Sequence, residues 1–190
     1  MTTTATEPTR KFVEYVGIDP SLTATGICVI DHDGKTHLKT IRTKPDTFRS
    51  RYQRLDFIAD FIRDMLQKLL NPVVFIERPF VNPKNMTAQQ DLLALGHLIR
   101  RRLFYGEFPF RDVAPMTLKK FVCGKGNSEK SMMLMRVYQN WDISADDDNQ
   151  ADACGLAHMA KAMEVVQGRG DPEMWPKYQL QVIADMLAKG

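Results

Sequence analysis

The sequence lacks any apolar run approaching the ~20 residues that span a bilayer, so no transmembrane helix is expected. Its three cysteines, Cys28, Cys123 and Cys154, are widely separated and form no CxxC pair. That spacing argues against a zinc site or a disulfide framework and suits a reducing, cytoplasmic setting. There are no internal repeats and no long low-complexity segments. The opening MTTTATEPTRK has no apolar centre of the kind a signal peptide needs, so residues 1–11 read as a flexible tail of a protein that is not secreted. Net charge is also scarce: +3 over 190 residues is too little to name a partner.

What is present is more informative. A chain of 190 residues with 44% hydrophobic side chains suits one domain with a sizeable core. That domain is expected over residues 12–166, with 167–190 as a C-terminal extension. The charge is unevenly spread. Between Lys35 and Arg54 seven basic residues stand against one acid, Asp46, and between Arg100 and Lys130 eight stand against three. From Asp142 to Asp152 there are five aspartates and no Lys or Arg. Two basic stretches and one acidic knot point to a polyanion surface and a cation site.

Phe12–Ile18, Gly26–Asp31 and Thr36–Thr43 read as strands of an antiparallel meander, with DHDG (31–34) as a turn. Leu55, Ile58, Ile62, Leu66 and Leu69 recur at three- and four-residue spacing, which predicts an amphipathic helix over 50–70 ended by Asn71-Pro72. VVFIE (73–77) is a short apolar strand. A helix over about 87–102, a strand near 110–114, two short helices flanking CGKGNSEK (123–130), a helix over 148–166 and a last one within 175–189 complete the pattern. Strands first, then helices alternating with strands, predict a mixed α/β fold on one sheet.

Two of these strands end on a carboxylate, Asp19 and Glu77, and neighbouring strands would bring both to one rim. A third set opens the late helix in DDDNQADACGLAH (146–158), where Asp148 and Asp152 are four apart and share a face. Two readings of the aspartates stand. Asp146–Asp148 cap a helix, where acids are favoured by the free N–H groups and the dipole, or they join Asp19 and Glu77. In the second reading, carboxylates at the ends of three core elements form the oxygen-rich cluster that a hard divalent cation requires. His97 and His158, on apolar helical faces, read as core histidines. Arg100–Arg102 read as phosphate contacts or as solubilising charge.

VGIDPSLTATGICVID (16–31) resembles the first motif of RuvC-type Holliday junction resolvases, and VVFIERPF (73–80) their second. LKKFVCGKGNSEKS (118–131) is similar to their basic region, and NQADACGLAHMAKA (149–162) to their closing acidic helix. Order and spacing agree from about Phe12 to Lys161. The resemblance implies an RNase H-like fold: a five-stranded mixed sheet, antiparallel meander plus parallel strands, flanked by helices. It also implies a Mg²⁺-dependent endonuclease with two ions per site, Mn²⁺ substituting, that cuts four-way DNA junctions as a homodimer. Asp19, Glu77 and Asp152 match metal-binding carboxylates. The fourth ligand falls on Asp148 or on Asn149, and chemistry favours Asp148. Lys119 and Lys130 match catalytically important lysines. Phe80 matches an aromatic that stacks on bases at an opened junction, and Lys84 and Lys125 join the DNA-contacting set. The shortness of the chain is compatible with a virus-encoded member. Three alternatives remain at this stage: a related nuclease for other branched DNA or DNA–RNA hybrids, an actin-like ATPase, and a non-catalytic DNA-binding module.

Overall fold

The computed structural model describes residues 12–79 and 86–188, with the side chains of Met86, Thr87, Ala88 and Lys130 outside that description. The expected tail (1–11), Phe80 and Lys84 therefore lie outside the described residues, as does the side chain of Lys130. Three strands come first: β1 (Glu14–Asp19), β2 (Ala24–Ile30) and β3 (Thr36–Arg42). They pair antiparallel. The β2–β3 turn is closed by Asp31, whose Oδ1 accepts from the Asp33 and Lys35 amides at 3.1 and 2.8 Å, and by Gly34 at φ 83°, a left-handed conformation that favours glycine.

Helix α1 (Arg51–Leu66) crosses to β4 (Pro72–Glu77), which lies parallel to β1. Helix α2 (Met86–Tyr105) leads to β5 (Phe110–Val113), parallel to β4. The sheet order is β3-β2-β1-β4-β5, the mixed five-stranded sheet anticipated. Four more helices follow: α3 (Pro115–Cys123), α4 (Lys130–Trp141), α5 (Asp148–Val166) and α6 (Lys177–Leu187).

Strand alternation sorts the core into two layers. Val16, Ile18, Ile27, Val29, Val74 and Ile76 face α1 and α2, meeting Ile58, Ile62, Leu95 and Ile99. Cys28, Ile30 and Phe75 face the other way, toward α3–α6. Each fully buried Ile or Phe stabilises by ~1.5–3 kcal/mol relative to exposure. Val182 and Ile183 of α6 lie in this second layer, and the Gln179 side-chain amide donates to the Phe121 carbonyl at 3.1 Å. The segment set apart as an extension thus shares the core.

Helix α1 starts as expected, with Ser50 Oγ accepting from the Gln53 amide at 3.2 Å. It ends four residues sooner than its periodicity suggested, because the chain must turn into β4. The Lys68 and Leu69 amides bond three residues back, Glu14 accepts the Leu70 amide at 2.6 Å, and Asn71 is left-handed at φ 47°. His158 is buried, its ring stacked 3.8 Å from Trp141. His97, expected in the core, is exposed, because the buried face of α2 is set by Leu95, Ile99 and Leu103. Cys28, Cys123 and Cys154 are free thiols. Among the described residues no helix is long and apolar enough to cross a membrane.

Candidate metal centre

The period of two in β1 places Asp19 on the same face as Gly17, away from Ile18. In β4 it places Glu77 with Phe75, away from Ile76. The parallel register pairs Ile18 with Ile76, so the carboxylates one residue further on emerge side by side at the end of the sheet, on the α5 face. Helix α5 supplies the third. Its N-cap is Asp147, whose side chain accepts the Gln150 amide at 2.9 Å, so the capping reading holds for that residue. Asp148 and Asp152 follow on successive turns.

Two glycines let α5 lie unusually close to the strands. A Cβ at Gly17 would sit 1.9 Å from the Ala153 carbonyl oxygen, and one at Gly26 would sit 2.1 Å from that of Asn149. Both contacts are to backbone, so neither position has room for a side chain at this separation. Gly26 is also the register partner of Asp19. The close approach therefore holds the start of α5, with Asp148 and Asp152, over the end of β1.

One oxygen each from Asp19, Glu77 and Asp152 lies within 4.8 Å of the others. Burial pushes the Asp19 carboxyl well above the usual carboxylate range, and the charges of Glu77, Asp152 and Asp148 push it the same way, as does a hydrogen bond with Glu77. A cation among them relieves both causes. The donor set is all oxygen, so it fits a hard divalent ion. Asp148 acts on Asp19 through its charge but stands outside the 4.8 Å group; it lines the same cleft, as does Asn149.

That cleft encloses about 790 Å³ and is lined also by Ser21, Leu22, Thr23, Pro79, Gln89, Met116, Gly126 and Met133. Lys119, half-buried on α3, forms part of its wall. Lys125 is exposed on the α3–α4 loop, next to the cleft-lining Gly126; its carbonyl accepts the Ser128 hydroxyl at 2.8 Å.

Arg54 and Arg100 support the site, a role that the sequence did not assign to either. Buried Arg54 donates to Thr43 Oγ1 at 2.9 Å and to the Leu22 carbonyl, which fixes the cleft-lining segment after Asp19. Arg100 donates to the Glu77 carbonyl at 3.1 Å, to the Gly96 carbonyl at 2.9 Å and to Asp112 at 2.7 Å, anchoring the end of β4. Arg102 is engaged by Asp56 and Asp60 at 3.1 and 2.7 Å. Two of the arginines read as phosphate contacts or solubilising charge are thus tied up within the chain.

The fold and the acidic centre define an RNase H-like α/β protein with a carboxylate site suited to a divalent cation. A family model described as crossover junction endodeoxyribonuclease RuvC matches residues 15–159, and the chain belongs to the RuvC family. RuvC of Polaromonas naphthalenivorans is 32% identical over 166 residues, covering 80% of this chain and 87% of that one. RuvC of Neorickettsia sennetsu is 27% identical over 161 residues, covering 82% and 96%. Among solved structures, Thermus thermophilus RuvC in complex with a Holliday junction substrate matches with a TM-score of 0.64 at 20% identity, covering 83% of this chain and 97% of that one. The yeast mitochondrial Holliday junction resolvase Ydc2 matches with a TM-score of 0.55 at 13% identity, covering 95% and 82%. At those identities the two structures speak for the fold.

Proposed function

We propose that this chain is a Mg²⁺-dependent endonuclease that resolves four-way DNA junctions by paired hydrolysis of phosphodiester bonds. The observation that carries the reading is the convergence of Asp19, Glu77 and Asp152, oxygens within 4.8 Å, in a member of a family described as crossover junction endodeoxyribonucleases. These three, with Asp148 as fourth ligand, would hold two Mg²⁺ ions, for which Mn²⁺ substitutes. When bound, such ions supply an activated water and neutralise charge at the leaving oxygen of a phosphodiester. The water oxygen adds to phosphorus and the bond to the 3′-oxygen breaks, leaving a 5′-phosphate and a 3′-hydroxyl.

Lys119, in the cleft wall, offsets phosphate charge brought against four carboxylates. Lys130, Lys125 and Lys84 contact the backbone, and Phe80 stacks on a base freed at the branch point. Cutting two opposed strands takes two sites, hence a homodimer. Exposed apolar side chains on α2 (Leu93, Phe104, Tyr105) and α4 (Met132, Met135, Tyr138) make these helices the candidate interface. The setting is the cytoplasm.

The test is cleavage of an immobile four-way junction beside linear duplex, flap and DNA–RNA hybrid substrates in Mg²⁺. The junction is expected to be cut symmetrically and fastest. Preferential cutting of a flap or hybrid would replace the junction with that substrate, and no cutting of any would remove the nuclease reading.

A further inference from the structure

Apart from buried Arg54, the basic stretch from Lys35 to Arg54 has no part in the metal centre. The sheet register shows where it lies: Asp19 pairs with Gly26, Gly26 with Thr40, and Ala24 with Arg42. The end of β3 is therefore at the same rim as the carboxylates, two strand spacings or about 10 Å across the sheet. The chain beyond it is fixed to the cleft-lining segment, since the Thr43 amide donates to the Thr23 carbonyl at 3.1 Å and the Thr43 hydroxyl to the Leu22 carbonyl at 2.6 Å. A short turn at Pro45–Thr47 and the packing of Phe48 on Phe57, ring centroids 5.4 Å apart, hold the connection to α1.

Of the seven basic residues, three are occupied elsewhere. The Lys39 ammonium lies 4.6 Å from the Phe61 ring centre, Arg51 meets Tyr52 and Asp91, and Arg54 is buried. Lys44 and Arg49 are exposed, and among the described residues neither makes an ion pair. Arg42 stands beside them with its side chain 65% exposed, touching Asp147 at 3.0 Å. Lys35 is at the other end of β3, about 20 Å away along the strand.

We infer that Lys44 and Arg49, with Arg42 at their base, form a second phosphate-contacting lip that takes the backbone of a duplex arm on the side of the cleft opposite Lys119 and Lys125. This rests on the nuclease reading above and names how the branched substrate is held. Four acids at one rim repel a phosphodiester, and cations on only one side would leave half of the approaching backbone facing net negative charge. Cations on both sides flank the scissile phosphate and track the backbone on either hand. A duplex carries one negative charge per ~1.7 Å of axis, so a two-residue lip meets phosphates in any register.

The test uses the full chain in an Asp152→Asn background, expected to bind without cutting, and follows junction affinity against salt. Each phosphate contact contributes about 0.9 to the slope of log affinity against log salt, or roughly five-fold in affinity at 0.15 M. The double variant Lys44→Ala/Arg49→Ala is expected to lower the slope by about 1.8 with an unchanged thermal midpoint. Lys44→Arg/Arg49→Lys is expected to restore it, and Lys35→Ala, which removes the same kind of charge far away, to leave it unaltered. An unaltered slope in the double variant overturns the lip, as does an equal loss in Lys35→Ala, which would make the effect one of net charge. Wild-type cleavage is measured alongside. If it is intact while the slopes do not move, only the lip fails; if the parent protein neither cuts nor binds the junction, both readings fall.

Discussion

Replacing Gly26 by Ala tests how the fold sets the metal centre. The new Cβ would lie 2.1 Å from the Asn149 carbonyl oxygen and 2.4 Å from its carbonyl carbon. Ordinary contact begins at 3.4 Å, so β2 and α5 must separate by 3.4 − 2.1, about 1.3 Å. The obstruction is helix backbone, which cannot swing aside as a side chain does. Overpacking of this kind costs ~1–3 kcal/mol, which for a chain of this size lowers the melting temperature by ~2–4 °C per kcal/mol. Asn149 lies between Asp148 and Asp152, so the same displacement carries the α5 carboxylates away from Asp19 and Glu77. A misplacement near 1 Å at a reacting centre costs on the order of 100-fold in rate. The assay is the initial rate of junction cleavage at saturating protein, with thermal melting and junction affinity in parallel. The rate is expected to fall about 100-fold while affinity, carried by Lys and Arg, changes little. Gly34→Ala is the control. That position has nothing within 4 Å but a φ of 83°, so it should lose stability at the hairpin and keep its cleavage rate. A Gly26→Ala protein that melts lower but cuts at the wild-type rate would refute the claim that this close approach sets the carboxylate geometry.

Asp19→Asn, Glu77→Gln and Asp152→Asn are each expected to abolish cleavage with junction binding retained, because phosphate affinity comes from the basic side chains; near-normal cutting in Mg²⁺ by any of them removes that residue from the centre. Asp148→Asn should behave like Asp152→Asn and Asn149→Ala should be mild if Asp148 is the fourth ligand, and the reverse outcome in the same assay transfers the role to Asn149. The raised acid of Asp19 gives the metal-free protein stability that is present at low pH and is lost as pH rises through the folded value. Melting at a series of pH values should show that loss in the wild type and not in Asp19→Asn, while Mg²⁺ at neutral pH should raise the melting temperature of the wild type alone.

The carboxylates were legible because each breaks a local rule. Asp19 and Glu77 terminate apolar strands, and Asp152 interrupts the small and apolar residues of α5. Placing the two strands side by side then brought both strand acids to one rim. The bounds of α5 were legible too, since acids mark its start and small and apolar residues predominate from Ala151 to Met163. What could not be read depends on partners distant in sequence. Gly17 stands in an apolar strand where a glycine signals a close backbone approach, but only α5 shows to what. Arg100 sits in a basic run, and no local pattern reveals that it holds the Glu77 carbonyl across 23 residues. The same holds for the basic residues of 35–54, whose sequence does not separate Arg54, buried under the cleft segment, from Lys44 and Arg49 in solvent.

The centre is costly to the metal-free fold, and under the proposed reading that cost would be a source of its affinity for a cation. Asp19 is 7% exposed and lies among three other acids, so water cannot solvate its charge as it would on an open surface. Nor can the cluster relax by spreading. Asp19 is tied to β2 by the Gly26 pairing, Glu77 is one residue past Ile76 in a parallel register, and α5 is held against Gly17 and Gly26 by backbone contact. The apolar layers on both sides of the sheet oppose any separation of these elements, since parting them would expose Ile18, Ile76 and Phe75 together. A cluster that includes a buried carboxylate and cannot move apart gains more from a divalent cation than the same carboxylates on flexible loops, because no ordering has to accompany binding. The rigidity has a second consequence. If a phosphodiester is the substrate, as proposed, fixed acids repel it, and its approach would depend on cations in the cleft wall and at its lips. Lys119, which lines the cleft on α3, is proposed for the first task, and the basic residues at the end of β3 for the second.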